Sequence, residues 1–161
     1  MDNLEVRREL TTKNRVGTSR YDFIKRVIDI IISSLGLIML SPILLIVGIS
    51  IKLESKGPVF FSQKRVGLNG KEFDMFKFRS MVVNAEELKE KLSSQNEMSG
   101  PMFKMKDDPR ITKVGKFIRK TSIDELPQLL NVLKGEMSLV GPRPSLPNEV
   151  KEFESWMMKR L

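Results

Sequence analysis

Apolar residues are unevenly spread along this chain, and their spacing predicts a membrane segment followed by a mixed domain. From Ile30 to Ile51 the sequence reads IIISSLGLIMLSPILLIVGISI, 22 residues without a charge. As a helix at about 1.5 Å per residue it would extend about 33 Å, enough for a hydrocarbon core of about 30 Å. A signal peptide has a shorter apolar region and a small-residue cleavage site, so the run is read as a membrane helix. Residues 1–20 are polar, charged and without apolar period, and are read as a leader. Residues 21–56 then form the membrane helix with its flanks, and 57–161 a domain of short strands and amphipathic helices. The expected fold class is α+β.

Whether the helix crosses is a separate question. Ser41-Pro42 lies at the middle of the run. Proline removes a backbone donor and crowds the preceding turn, so a kink is expected there. A serine hydroxyl can satisfy backbone groups near such a kink. Both flanks are basic: Arg7, Arg8, Lys13, Arg15, Arg20, Lys25 and Arg26 precede the run, and Lys52, Lys56, Lys64, Arg65 and Lys71 follow it. With neither end poor in positive charge, the positive-inside rule does not choose an orientation. Two arrangements stay open: a kinked single span, or a re-entrant helix that breaks at Ser41-Pro42 and returns both ends to one side. Asp29 is expected at headgroup level, with Lys25 and Arg26 beside it to pair with lipid phosphates.

Beyond the run, Gly57-Pro58 marks a turn. Val59 to Val66 reads as a strand, and Asn69-Gly70 is a two-residue hairpin signal. Glu72 to Met81 alternates, with Phe76 and Phe78 on one face and Lys77 and Arg79 on the other. The aromatic face is expected in the core; the basic face is either solvated or lines an anion site. Asn84 to Leu92 suits a surface helix with a possible N-cap and spaced opposite charges. Ser93 to Gly100 reads as a polar loop. Asp108-Pro109 resembles an N-cap followed by proline at the first helical position. Ile111, Val114, Phe117 and Ile118 would be the apolar face of that helix, with Lys113, Lys116, Arg119 and Lys120 opposite. Such a basic face beside an anchor suits anionic headgroups.

Charge and composition then narrow the chemistry. Lys and Arg total 28 against 20 Asp and Glu, a net +8, and there is no cysteine and no histidine. Disulfides, thiolate nucleophiles, Cys/His zinc sites and Ser-His-Asp triads are excluded. Any acid, base, nucleophile or metal ligand must be Asp, Glu, Lys, Arg, Tyr, Ser or Thr.

The most unusual stretch begins at Thr121. Leu126, Leu129, Leu130 and Leu133 recur at helical spacing, and Pro127 is tolerated only in a first turn, which places the helix start near Ile123 or Asp124. A capping box of Ser122 and Glu125 fits the residue types but pushes Pro127 too deep. Asp124 and Glu125 therefore occupy the helix start, where backbone N–H groups and the helix dipole favour their ionised forms. Capping alone would explain two acids there. The neighbouring cations argue for more: Arg119 lies just upstream, and Arg143 follows in the stiff loop Gly141-Pro-Arg-Pro144, suited to bidentate phosphate binding. One acid could face a reacting phosphorus while the other holds a divalent ion.

With these residues assembled, the chain resembles the monotopic phosphoglycosyl transferases, also called bacterial sugar transferases. The matching stretches are Lys25-Arg26 with the apolar run and Ser41-Pro42, Phe61 to Gly67, Lys77-Phe-Arg-Ser-Met81, Asp107 to Thr112, and Thr121 to Pro144 with DELPQLLNVLKGEMSLVGPRP. The resemblance implies transfer of a phosphosugar from a UDP-sugar to polyprenyl (undecaprenyl) phosphate, with release of UMP, in exopolysaccharide or O-antigen synthesis. It implies that Asp124 is the nucleophile of a covalent intermediate and that Glu125 binds Mg²⁺. Lys77, Arg119 and Arg143 would serve the substrate phosphates, and Arg79, on the same strand face as Lys77, is grouped with them. The helix would be re-entrant, the ends and the 57–161 catalytic domain cytosolic, and the protein on the cytoplasmic face of the bacterial inner membrane. The family pattern continues with a Lys/Arg-Pro-Gly-Ile-Thr-Gly stretch that is expected beyond Leu161. Glucose or galactose is the sugar suggested by the Gly100 to Arg110 segment.

The competing reading is a catalytically inactive fragment, or a basic anchored module that binds anionic lipid or nucleic acid. Nucleic acid is not the expected partner. Aromatics are few, and the acids cluster at one helix start, where they would repel phosphate backbones.

Overall fold

A computed structural model describes residues 19–92, 105, 107–151 and 153. Helix α1 spans Ser19–Glu54. Strands β1 (Phe60–Val66) and β2 (Glu72–Phe78) form a two-stranded antiparallel sheet. Helices α2 (Ala85–Lys91), α3 (Lys113–Lys120), α4 (Gln128–Lys134) and α5 (Pro147–Lys151) follow. The α+β class is as expected. The leader residues 1–18 and the Ser93 to Gly100 loop lie outside the described residues.

Among the described residues α1 is the one helix long and apolar enough to cross a membrane. Its helical bonding continues through Pro42, which lies inside it and is exposed, as is Ser41. The chain divides into two compact units, and one boundary falls inside α1. The first unit comprises Met1–Leu40, Ser62–Phe76 and Pro127–Leu161; the second comprises Ser41–Phe61 and Lys77–Leu126.

The expected hairpin forms, but with five residues between its strands and a 3-10 turn at Leu68–Gly70 rather than a two-residue loop. Asn69 and Gly70 both adopt positive φ, 61° and 71°, the backbone that a tight right-twisting hairpin requires. The alternation of β2 is less regular than expected. Phe73, Met75 and Phe78 are buried while Phe76 is half-buried. In the first unit the fully buried Asn131 of α4 bonds to the backbone of β2 as a partner strand would. Its Oδ1 accepts the Phe76 N–H (3.0 Å) and its Nδ2 donates to the Asp74 carbonyl (2.7 Å) and to Glu136 Oε2 (2.7 Å). One side-chain amide thereby covers part of the sheet edge, which would otherwise present unpaired groups. Lys134 stands over the Phe76 ring at 4.3 Å. The leucine stripe of α4 is thus not its most buried face: Asn131 and Val132 are buried, whereas Leu130 is exposed.

Among the described charged residues before the apolar run, Lys25, Arg26 and Asp29 meet protein partners. Arg26 donates to the carbonyls of Val132 and Leu133 (2.6 Å for the latter), satisfying acceptors that the end of α4 leaves open. Asp29 is 5 % exposed, accepts the Leu139 N–H (3.1 Å) and pairs with Lys25 (3.5 Å). Asp29 thus has protein partners at the position where headgroup level was expected.

In the second unit Val47 and Ile51 of α1, Phe78 of β2 and Ile118 of α3 form the core, with Leu44, Val59, Val114 and Ile123 packed on it. Phe60 stacks on Phe78 at 5.2 Å. Helix α3 does not start at Asp108-Pro109. Asp108 is taken by Arg110 in a bidentate pair, with its two oxygens 2.7–3.2 Å from Nε and Nη2. Thr112 is the N-cap instead, accepting the Gly115 N–H at 2.9 Å. The Glu54 carboxylate accepts the N–H groups of Lys113 (2.7 Å) and Val114 (3.1 Å). Ile118 is buried but Phe117 is exposed, so the apolar face is narrower than its spacing suggested.

Candidate functional site

The helix expected from Asp124 is split. A 3-10 turn spans Ile123–Glu125, and α4 begins only after Pro127. Pro127 has no N–H to give to the Ile123 carbonyl, so an α-helix begun at Ile123 would lack a rung. That carbonyl instead accepts from Leu126, three residues on, at 3.1 Å. Ser122, just before the acids, has a left-handed backbone (φ 58°, ψ 15°) and makes no capping bond with its side chain. A serine there is strained by roughly 1 kcal/mol, a strain common at functional turns.

This turn packs against α3 and presents Asp124 and Glu125, both half-buried. Lys77 of β2 donates to Glu125 Oε1 at 2.8 Å. Burial pushes the Asp124 carboxyl above its usual range. The Lys77 ammonium pulls it back down, the Glu125 charge pushes it up, and the Arg119 guanidinium pulls it down again. Arg119 projects from the last turn of α3 and is exposed. The second unit therefore brings together Lys77, Arg119, Asp124 and Glu125. It also holds Arg79, which is placed differently: this guanidinium is buried against the end of α1 and donates to the carbonyls of Lys56 and Ser55. Arg143 belongs to the first unit, where it is exposed in the loop after Gly141. Its neighbours there are anchored to β1: Val66 pairs with Ser145, and Arg65 donates to the Pro144 carbonyl at 3.1 Å.

Among the described residues no cluster of three or more Asp, Glu, His or Cys could hold a metal alone. The adjacent carboxylates do fit Mg²⁺ as that ion is bound with nucleotides, through one or two carboxylates while phosphate oxygens and water complete the octahedron.

Several contributors were missed by residue-type reasoning. Glu54 lies in no motif, and Asn131, though inside the Thr121 to Pro144 stretch, was given no role. Asn131 interrupts an apolar stripe, and that polar residue among leucines was the available signal. The Asp108–Arg110 pair was visible as Asp-Pro-Arg, but the capping register concealed it.

These features define a membrane-associated α+β protein with a half-buried acid pair beside cations. The chain belongs to the bacterial sugar transferase family, whose model matches residues 20–161. It is 52 % identical over 137 residues to "Galactosyl transferase CpsE" of Streptococcus agalactiae serotype III, covering 85 % of this chain and 30 % of that protein. It is 46 % identical over 138 residues to a "Putative undecaprenyl-phosphate N-acetylgalactosaminyl 1-phosphate transferase" of Bacillus subtilis, covering 86 % of this chain and 71 % of that protein. It is 44 % identical over 148 residues to "Undecaprenyl-phosphate galactose phosphotransferase" of Salmonella typhimurium, covering 89 % and 31 %. The chain thus spans about a third of two of these curated relatives and most of the third.

Proposed function

We propose that this chain carries the catalytic site of a phosphoglycosyl transferase, moving a sugar phosphate from a UDP-sugar to polyprenyl phosphate. The observation that carries this reading is the half-buried Asp124 beside Glu125, with Lys77 2.8 Å from the latter and Arg119 acting electrostatically on the former. An Asp124 carboxylate oxygen attacks the phosphorus that bears the sugar. The bond from that phosphorus to the bridging oxygen breaks, UMP leaves with the electron pair, and an aspartyl phosphosugar remains. A polyprenyl phosphate oxygen then attacks the same phosphorus and frees the carboxylate. Splitting the transfer this way replaces one difficult step by two easier ones. Lys77 and Arg119 offset phosphate charge that would otherwise repel the nucleophile. Glu125 would hold Mg²⁺, which supplies further neutralisation of the diphosphate. Arg79 is left out of the phosphate set because its Nη groups are committed to protein carbonyls.

The lipid substrate fits the architecture. Helix α1 is read as re-entrant at Ser41-Pro42, keeping both ends at the cytoplasmic face of the inner membrane. Exposed Phe117 between Lys113, Lys116 and Lys120 suits a surface of anionic lipid. The relatives' names divide among galactose, N-acetylgalactosamine and glucose, so the sugar is a question for the assay. Protein in lipid vesicles with Mg²⁺ and a panel of UDP-sugars should gain the mass of one phosphosugar and pass radiolabel to polyprenyl phosphate. Chelation should stop transfer. A wild-type chain that acquires neither adduct nor lipid product with any sugar would sink the proposal.

A further inference from the structure

Among the cations of the second unit, Arg79 combines deep burial with bonding to a single structural feature. Its side chain is buried with the residue only 6 % exposed. Nη1 donates to the Lys56 carbonyl at 2.7 Å, and Nη2 to the Ser55 carbonyl at 2.9 Å, with the Ile51 carbonyl at 3.5 Å. These acceptors belong to the carboxyl end of α1 and the residues just after it. The Ile51 carbonyl also accepts the Ser55 N–H at 3.2 Å, whereas the Ser55 and Lys56 carbonyls lie past the helix end, at the negative pole of its dipole, so a guanidinium is a matched cap. The Arg79 backbone N–H also donates to the Val59 carbonyl at 2.9 Å. Gly57 keeps the space open: at φ 124° a Cβ on this residue would stand 2.3 Å from Arg79 Nη1.

Lys77 lies in β2 two residues before Arg79, which directly follows the strand's last residue, Phe78. Its ammonium meets Glu125 at 2.8 Å. A lysine stem is flexible, so where its head stands depends on how firmly the strand beneath it is held. We propose that Arg79 is a positioning residue for Lys77: by clamping the end of β2 to the carboxyl end of α1, it sets where the Lys77 ammonium stands against Glu125. The inference rests on the transferase reading of that acid pair for its functional meaning. It gives Arg79 a duty distinct from phosphate binding, and it makes the end of the membrane helix the reference point for a cation of the site.

The test uses the full chain in lipid vesicles and two readouts. Amine acylation followed by peptide mass spectrometry compares Lys77, 17 % exposed within its ion pair, with Lys64, 62 % exposed, as internal reference. Arg79→Met and Gly57→Ala should each raise the relative labelling of Lys77 by about threefold or more, as expected when a held side chain is released. Arg79→Lys, which keeps a cation near the carbonyls, should fall between them and wild type. Val150→Ala, a core truncation in the first unit, should lower the melting temperature without moving Lys77 labelling. The second readout is transfer by Lys77→Ala, Arg79→Met and the double variant. If Arg79 acts through Lys77, the double variant should lose no more than about twofold beyond Lys77→Ala. Unchanged Lys77 labelling in both Arg79→Met and Gly57→Ala, or losses that multiply in the double variant, would overturn the proposal. A wild-type chain with no transfer defeats the transferase reading instead, and labelling alone then decides the clamp.

Discussion

A carboxylate attacks phosphorus only when ionised, and Asp124 sits where burial resists ionisation. Its folded-state pKa is raised, so the group favours folding at pH values below its unfolded pKa, and that contribution is lost as pH rises through the folded value. Once ionised, as the proposed attack requires, the side chain weighs against stability. Asp124→Asn keeps the shape and removes the charge. It should abolish adduct formation and transfer, yet melt at or above the wild-type temperature. Retained transfer would end the nucleophile assignment, and a clearly lowered melting temperature would contradict the burial argument. Asp108 has the opposite sign. Its hydrogen bonds to Arg110 hold its carboxyl below the usual range despite desolvation. Its contribution is present above the ordinary aspartate pKa of about 3.9 and is lost as pH falls through the lower folded value. Asp108→Ala leaves a guanidinium buried without its carboxylate and should cost about 3 kcal/mol in denaturant unfolding at pH 7. The difference from wild type should shrink in strong acid. A difference that stays constant with pH would show that the pair is not its source.

At the level of elements, α3 is where close packing and site geometry meet. Gly115 lies against the backbone of Ser80, and a Cβ there would stand 2.0 Å from the Ser80 carbonyl oxygen. Alanine gains about 1 kcal/mol over glycine in a helix interior. Overpacking against backbone costs about 1–3 kcal/mol, and this contact has no flexible side chain to move aside. The clash should win, so Gly115→Ala should lower stability by roughly 1–2 kcal/mol and weaken transfer by displacing Arg119 at the far end of the same helix. A variant as stable and active as wild type would show that α3 is free to shift. The same helix shows what the sequence discloses. Asn69-Gly70 specified its turn locally, through two residues that tolerate positive φ, and the Asn84 to Leu92 helix followed from local charges and an adjacent turn residue. The acid pair was legible because Pro127 restricts where a helix can begin. The start of α3 was not, because Asp108 and Thr112 are both competent N-caps and only the captured Arg110 decides between them. For Arg79, strand alternation gave the face of a cation but not that the end of a distant helix would bond it.

For the whole molecule the open quantity is the path of α1 relative to the membrane. As a straight helix its 36 residues would extend about 54 Å, well beyond a hydrocarbon core of about 30 Å, although the uncharged part alone is near that thickness. Pro42 lies inside the helix, and the division between the two compact units falls at Leu40 and Ser41, immediately before it. Both flanks are basic, so a span must carry one set of positive charges across, whereas a re-entrant path carries neither. The helix itself is continuous through Pro42, and the path that returns stands as the proposal to be tested. The chain has no cysteine, which makes the test direct. Single cysteines introduced by Asp22→Cys and Lys71→Cys, both at exposed positions on either side of the apolar run, should react with a membrane-impermeant maleimide from the same side of sealed vesicles. Pro42→Ala restores the missing backbone donor and removes the feature to which the proposed bend is assigned. In that background part of the population should place the two cysteines on opposite sides, with transfer falling in proportion. Labelling from opposite sides in the parent background would establish a span and withdraw the re-entrant path, while leaving the chemistry assigned to Asp124 to be judged by its own assay.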